Sequence, residues 1–415
     1  MKFIVNTIIL LFTVSFIGQS QTLDDYFMVA AENNPGLQAK YKDFEAALEK
    51  IPQVSSLTDP TLSFGYFISP VETRVGPQRA RFSLTQMFPW FGTLKAQGDA
   101  ATLMAEAKYQ AFLDARNMLR YQVAGAYYAL YELEKLKQIE NENIEILQSY
   151  KAIANRKFEN GIGSMTDLLR VEMMLNDANT NLTILKEREK PLSVTFNKLL
   201  NREIGEEIII TDLLTADLLP ENLQKESIFS NNPMLNELSL MVEASKASEN
   251  AANKQGLPKF GVGLDYVIVG KRTDMTLPDN GKDVIMPMVT VSIPIFRGKY
   301  KAAVKEAQIQ QERYSLKKQD FANMLEAGYE MASFEVKQQL EFLSLYEQQV
   351  QASEKSLTLL FAAYGNSGKE FEEVLRMQQQ LLKYRKMKAT ALKEYHVSLA
   401  KIDYITAKNY YDENR

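Results

Sequence analysis

The side chains with chemistry to offer gather at two glycine breaks. The first is Phe158-Glu-Asn-Gly161-Ile-Gly163-Ser164-Met-Thr-Asp167-Leu-Leu-Arg170. The second is Tyr364-Gly365-Asn-Ser-Gly368-Lys369-Glu-Phe-Glu-Glu373-Val-Leu-Arg376. Acids, arginines, a lysine and a tyrosine beside chain reversals can form ion pairs and hydrogen bonds that fasten one segment to another. Gly161, Gly163, Gly365 and Gly368 are expected to supply the turn conformations.

These residues do not form a catalytic site. Glu372 and Glu373 are consecutive, and consecutive residues of a helix do not face each other, so they are no acid–base dyad. Ser164 is not in a G-x-S-x-G elbow, and the only imidazole, His396, lies far along the chain and reads as an incidental coiled-coil residue. Gly261-Val-Gly263 lacks the third glycine of a dinucleotide fingerprint. The thioethers of Met173-Met174 and of Met286 and Met288 are of a type that suits Cu(I). Adaptable core packing is the reading taken for them. No enzyme activity, cofactor or resident metal is expected.

Composition narrows the field further. The 415 residues carry a net charge of −4 and a sequence pI of 5.5, which leaves no basic stripe for nucleic acid. With no cysteine, disulfides, thiolate metal sites and a lipid anchor on an N-terminal cysteine are excluded. Residues 1–20 read as a cleaved secretory signal: Lys2, an apolar run from Phe3 to Gly18, and a cut expected before Gln21. Beyond it no run of about 20 apolar residues exists, so a membrane would have to be met by strands or by a surface.

The elements that position the two breaks come next. Residues 22–56 read as helical, starting at Thr22 with Asp24 and Asp25 and interrupted at Asn33-Asn34-Pro35. Period-two alternation then sets Leu62, Phe64 and Tyr66 against Thr61, Ser63 and Gly65, and Ala80, Phe82 and Leu84 against Arg81, Ser83 and Thr85. That is a β-hairpin over about 59–90 with one apolar and one polar face. Over 93–200 a long helical hairpin is expected, broken near Gly161, with an apolar seam that includes Phe112, Ala115, Leu119, Val123 and Ala126. Its first arm would run about 100 Å at 1.5 Å per residue.

After a linker at 201–230, read as a short strand or turn segment, the plan repeats. Asn33 recurs at Asn231 and Pro60 at Pro258, a shift of 198; Gly92 recurs at Gly298, Phe158 at Tyr364 and Asp167 at Glu373, a shift of 206. The second hairpin, about 258–296, sets Phe260, Val262, Leu264, Tyr266 and Ile268 against Lys259, Gly261, Gly263 and Asp265, and its return strand sets Val289, Val291 and Ile293 against Met288, Thr290 and Ser292. The eight extra residues belong in Lys271–Lys282, in an outward-facing loop. A second long helical hairpin follows over 298–412. Structural repeats are thus expected at 21–200 and 231–415. Four strands with one apolar face do not close on themselves, so a membrane sheet of this kind requires several chains. Soluble hairpins packed on helices, in an exported coiled-coil structural or adhesion protein, are the other reading of the pattern.

The duplication, the Asn-Asn-Pro helix start, the Phe88-Pro-Trp-Phe91-Gly92 and Ile293-Pro-Ile-Phe296-Arg-Gly298 junctions and the two breaks together resemble the TolC-type outer-membrane efflux channels, over nearly all of the mature chain. The wording Gln86-Met-Phe-Pro-Trp-Phe-Gly92 is similar to the heavy-metal cation efflux subgroup. The resemblance implies a mainly α fold with a membrane β-barrel portion. Long antiparallel coiled-coil helices would form a trimeric α-helical tunnel through the periplasm, with four strands per protomer in a shared twelve-stranded barrel. It implies an outer-membrane exit duct, with a periplasmic adaptor (membrane fusion) protein, an inner-membrane pump of the RND type and outer-membrane lipid as partners. The two breaks then become tips that close the periplasmic end. Asp167 falls on the acid of the first tip; Tyr364, Lys369 and Glu373 fall on the tyrosine, basic residue and acid of the second. Arg376 stands where some members carry a further acid, with Arg170 as its repeat partner, so charge pairing within the tip is expected in place of an acidic double ring.

Overall fold

The computed structural model describes residues 22–210, 214–216, 231–367 and 371–408. The expected signal, most of the expected linker, Gly368 and Lys369 lie outside the described residues. The chain runs α1 (Leu23–Asn33), α2 (Pro35–Ser55), β1 (Thr61–Tyr66), β2 (Glu72–Thr73), β3 (Gly76–Phe88), α3 (Thr93–Glu159) and α4 (Met165–Leu199). It continues with α5 (Pro233–Gln255), β4 (Lys259–Val269), β5 (Val284–Ser292), α6 (Gly298–Ser367) and α7 (Phe371–Ile405).

Local chemistry explains the boundaries. Thr22 caps α1 in a reciprocal box with Asp25, each side chain bonding the other's backbone N–H. Asn232 caps α5 by accepting from the N–H groups of Met234 and Leu235, with Pro233 in the first turn. Helix α4 continues through Pro191 to Leu199. The described start of the linker, 201–210, is turn and irregular chain without a strand. It is anchored by the Tyr26 hydroxyl, which donates to the Ile209 carbonyl and accepts from its N–H.

Two compact units form, and each draws on both sequence repeats. One is built mainly from Leu119–Glu221 and Ala332–Ile402, the other mainly from Pro35–Met118 and Asn222–Met331. The second unit holds the sheet. Its order is β1-β3-β4-β5, all antiparallel, with β2 pairing β3 at one end. The two hairpins therefore join through β3 and β4. Register aligns Leu62, Leu84 and Leu264, then Phe64, Phe82, Tyr266 and Ile285, so the apolar faces expected of separate hairpins become one face across the sheet. That face is bare: Leu62 is 68% and Val289 78% exposed. On the opposite face Asp265 is fully buried and ion-paired to Arg81. Among the described residues β1 and β5 are paired on one side only. An apolar outer face with two open edges suits lipid only after closure by other copies of the chain.

The turn into β3 demands glycine. Gly76 has φ +133°, and a Cβ there would overlap the Gly270 carbonyl oxygen. Around it the inserted loop is fastened to the first hairpin: the N–H of Gly281 donates to Val75 O and that of Gly270 to Pro77 O, both at 2.7 Å. Gly76→Ala is expected to cost at least about 1–3 kcal/mol of backbone strain. It should lower the thermal midpoint and the yield of assembled protein. Gly65→Ala, at a site with nothing within 4 Å of the added carbon, should change neither.

Candidate functional site

The two glycine breaks come together in the first unit, on one apolar cluster. Leu168, Val171, Leu175, Ala178 and Leu182 alternate at spacings of three and four along α4 and are all buried, which is a coiled-coil seam read from one helix. Ile144, Leu147 and Tyr150 of α3 meet them, and Tyr364, Phe371 and Val374 join the same cluster from the second hairpin. The aromatic rings knit it: Tyr364 stacks on Phe371 at 4.6 Å, and Phe371 sits edge-on to Tyr150 at 5.9 Å.

The first tip is a closed piece of hydrogen-bond accounting. Ile162 N–H donates to Lys157 O and Gly161 N–H to Phe158 O, each at 3.0 Å, with Gly161 at φ +70°. This is the Schellman arrangement, in which a left-handed glycine satisfies the last carbonyls of a helix. Ser164 then caps α4, accepting from Thr166 N–H at 3.1 Å. Asp167 lies in the first turn of α4, where the helix dipole favours an acid. At the second tip Gly365 lies inside α6 rather than in a turn.

Charges link one hairpin to the other. Arg170 Nη1 donates to Glu372 Oε2 at 2.6 Å, and Lys157 Nζ donates to the Tyr364 carbonyl at 2.8 Å. The same ammonium stands 3.5 Å from the centroid of the Tyr364 ring. Burial raises the Tyr364 hydroxyl pKa above its ordinary value, and the charge of Asp167 raises it further. The structure thus places Asp167 near Tyr364 and pairs Arg170 across the tip. Glu373 and Arg376 are exposed and form no ion pair with another described residue. Sequence reasoning missed Lys157 altogether and weighed Glu372 only as half of a dyad. A lysine in the last turn of a helix is ordinary dipole chemistry, so no signal in the sequence singled it out.

Further along this unit the seam between α3 and α7 is polar. Glu140, fully buried, is ion-paired to Lys386; Gln378 donates to Asn143 at 3.2 Å; Thr390 donates to Glu132 at 2.7 Å; Arg385 bonds Glu142 at 3.0 Å. Among the described residues no group of three or more His, Cys, Asp or Glu is placed to hold a metal ion.

The sequence pattern of one protein family, described as outer membrane efflux protein, matches residues 28–200 and 226–407. No curated protein sequence matches. Several solved structures share the fold. The outer-membrane channel OprN is 14% identical, with 93% of this chain and 90% of that one covered and a TM-score of 0.77. For CusC the figures are 16%, 92%, 91% and 0.77. For the outer membrane protein VceC of Vibrio cholerae they are 15%, 92%, 95% and 0.75.

Proposed function

Since this chain belongs to the outer membrane efflux protein family, and is the exit duct of a tripartite efflux system in the outer membrane, we propose that its paired helical tips are the gate of that duct. Channels of this family form trimers and act with a periplasmic adaptor and an inner-membrane pump. The duct is passive and is not an enzyme. The alternative of an exported structural coiled coil is not favoured by the family.

The observation that carries the gate reading is the fastening of one hairpin to the other by exposed or half-exposed charges above a shared apolar cluster. Ion pairs of that kind contribute only about 0–1 kcal/mol each, enough when repeated around a trimer to hold the tip shut and little enough for a docking adaptor to release. The assigned residues are Asp167, Arg170 and Tyr364, with Glu373 and Arg376 as exposed charges of the second tip and Lys369 as its basic residue by sequence position. The repeats 21–200 and 231–415, joined by 201–230, give each protomer two such tips. The apolar face of the sheet contacts outer-membrane lipid, and an RND-type pump supplies the substrate; kinship to the heavy-metal subgroup rests on the Gln86–Gly92 wording alone.

The test is assembly followed by conductance. The mature chain extracted in detergent should run as a heat-modifiable trimer and form channels in planar bilayers. A water-soluble monomer that forms none would overturn the reading.

A further inference from the structure

The link between the tips that involves Tyr364 does not run through its hydroxyl. Among the described residues no hydrogen bond joins that hydroxyl to Asp167. What reaches Tyr364 is Lys157, from the last turn of α3, which bonds the residue's main-chain carbonyl at 2.8 Å and lies 3.5 Å from the ring centroid. Tyr364 itself is 6% exposed and backed by Phe371 at 4.6 Å, so the ring is held as a fixed platform for the cation. A lysine head seated on a ring face and a carbonyl is a directional contact, less open to salt than an exposed ion pair.

We propose that Lys157 is the clamp of the closed tip, holding the second hairpin by the ring face and backbone of Tyr364; this rests on the tips being the gate. Because the clamp uses a positive charge, a ring and a main-chain carbonyl, it makes an unusual prediction: the lysine matters and the tyrosine hydroxyl does not. A guanidinium offers the same ring contact and donors, so arginine should substitute for the lysine.

Single-channel conductance of the full-length trimer in planar bilayers tests it, after each variant is shown to assemble. Lys157→Met, with Lys157→Gln as a second variant, should shift the closed-to-open ratio of each protomer about tenfold toward open. Lys157→Arg and Tyr364→Phe should both stay closed. If neutral variants at Lys157 remain closed while Arg170→Glu opens the channel, the clamp is wrong and the gate stands. If Tyr364→Phe opens the channel as far as Lys157→Met, the hydroxyl is the lock and the clamp is again wrong. If none of Lys157→Met, Arg170→Glu and the Asp167→Ala/Glu373→Ala pair raises conductance, the gate reading falls and takes the clamp with it.

Discussion

Arg170→Glu will raise the conductance of the channel, and adding Glu372→Arg will bring it back down. The two side chains meet at 2.6 Å across the hairpins and are 42% and 57% exposed, so the pair is partly screened by water. A contact of this kind is worth about 0–1 kcal/mol, and reversal both removes it and sets two carboxylates against each other. The expected shift is about two- to fivefold in the closed-to-open ratio of each protomer. In a trimer the same change is made three times over, so the recorded conductance should rise clearly. The charge swap restores attraction with the partners exchanged, which separates electrostatics from damage to the fold. Salt supplies a second check. With a Debye length of about 10 Å at 0.1 M and about 3 Å at 1 M, the difference between wild type and Arg170→Glu should shrink as salt is raised. A difference indifferent to salt would mean that packing, not charge, connects the hairpins at this point.

The second large effect belongs to the polar seam. Lys386→Ala removes the ion-pair partner of Glu140, whose carboxylate is fully buried between helices. Breaking one side of a buried pair typically costs about 3–5 kcal/mol, because the remaining charge stays out of water without compensation. The variant should lose thermal stability in detergent, or fail to assemble at all. Glu140→Gln should be far milder: the amide can still take part in the neighbouring contacts, and Lys386, 29% exposed, can extend its ammonium to solvent. Replacing both residues with leucine should recover much of what Lys386→Ala loses, because two packed apolar chains need no partners. Should Lys386→Ala melt with the wild type, the pair contributes nothing to stability. Should the double leucine variant be the worst of the three, the pair is fixing the alignment of α3 on α7 as well as filling space.

Much of this protein was legible before any fold was known, and the reason is local. Period-two alternation fixes which face of a strand is apolar, so Leu62, Phe64 and Tyr66 fell on one side and Arg81 and Asp265 on the other. The spacing of Phe112, Ala115, Leu119, Val123 and Ala126 carries its seam within one helix. The helix starts at Thr22 and at Asn232-Pro233 rest on caps that act over three residues. The duplication let the two breaks be matched position by position, because one chain held both copies for comparison.

What only the tertiary structure decided are the partners across elements. The pairing of β3 with β4 joins the two hairpins into one sheet, and no pattern within either hairpin states it. Adjacent positions on a helix point about 100° apart, so Glu372 and Glu373 look alike in sequence while packing turns only the first toward Arg170. The same rotation buries Glu140 against Lys386 and leaves Glu142 to Arg385. Lys157 is the sharpest case. Its sequence context is that of any basic residue closing a helix, and its position over Tyr364, 207 residues away, exists only once the two hairpins share a core. Periodicity is written along a chain; the rotation of one helix against another is set by the side chains that fill the space between them.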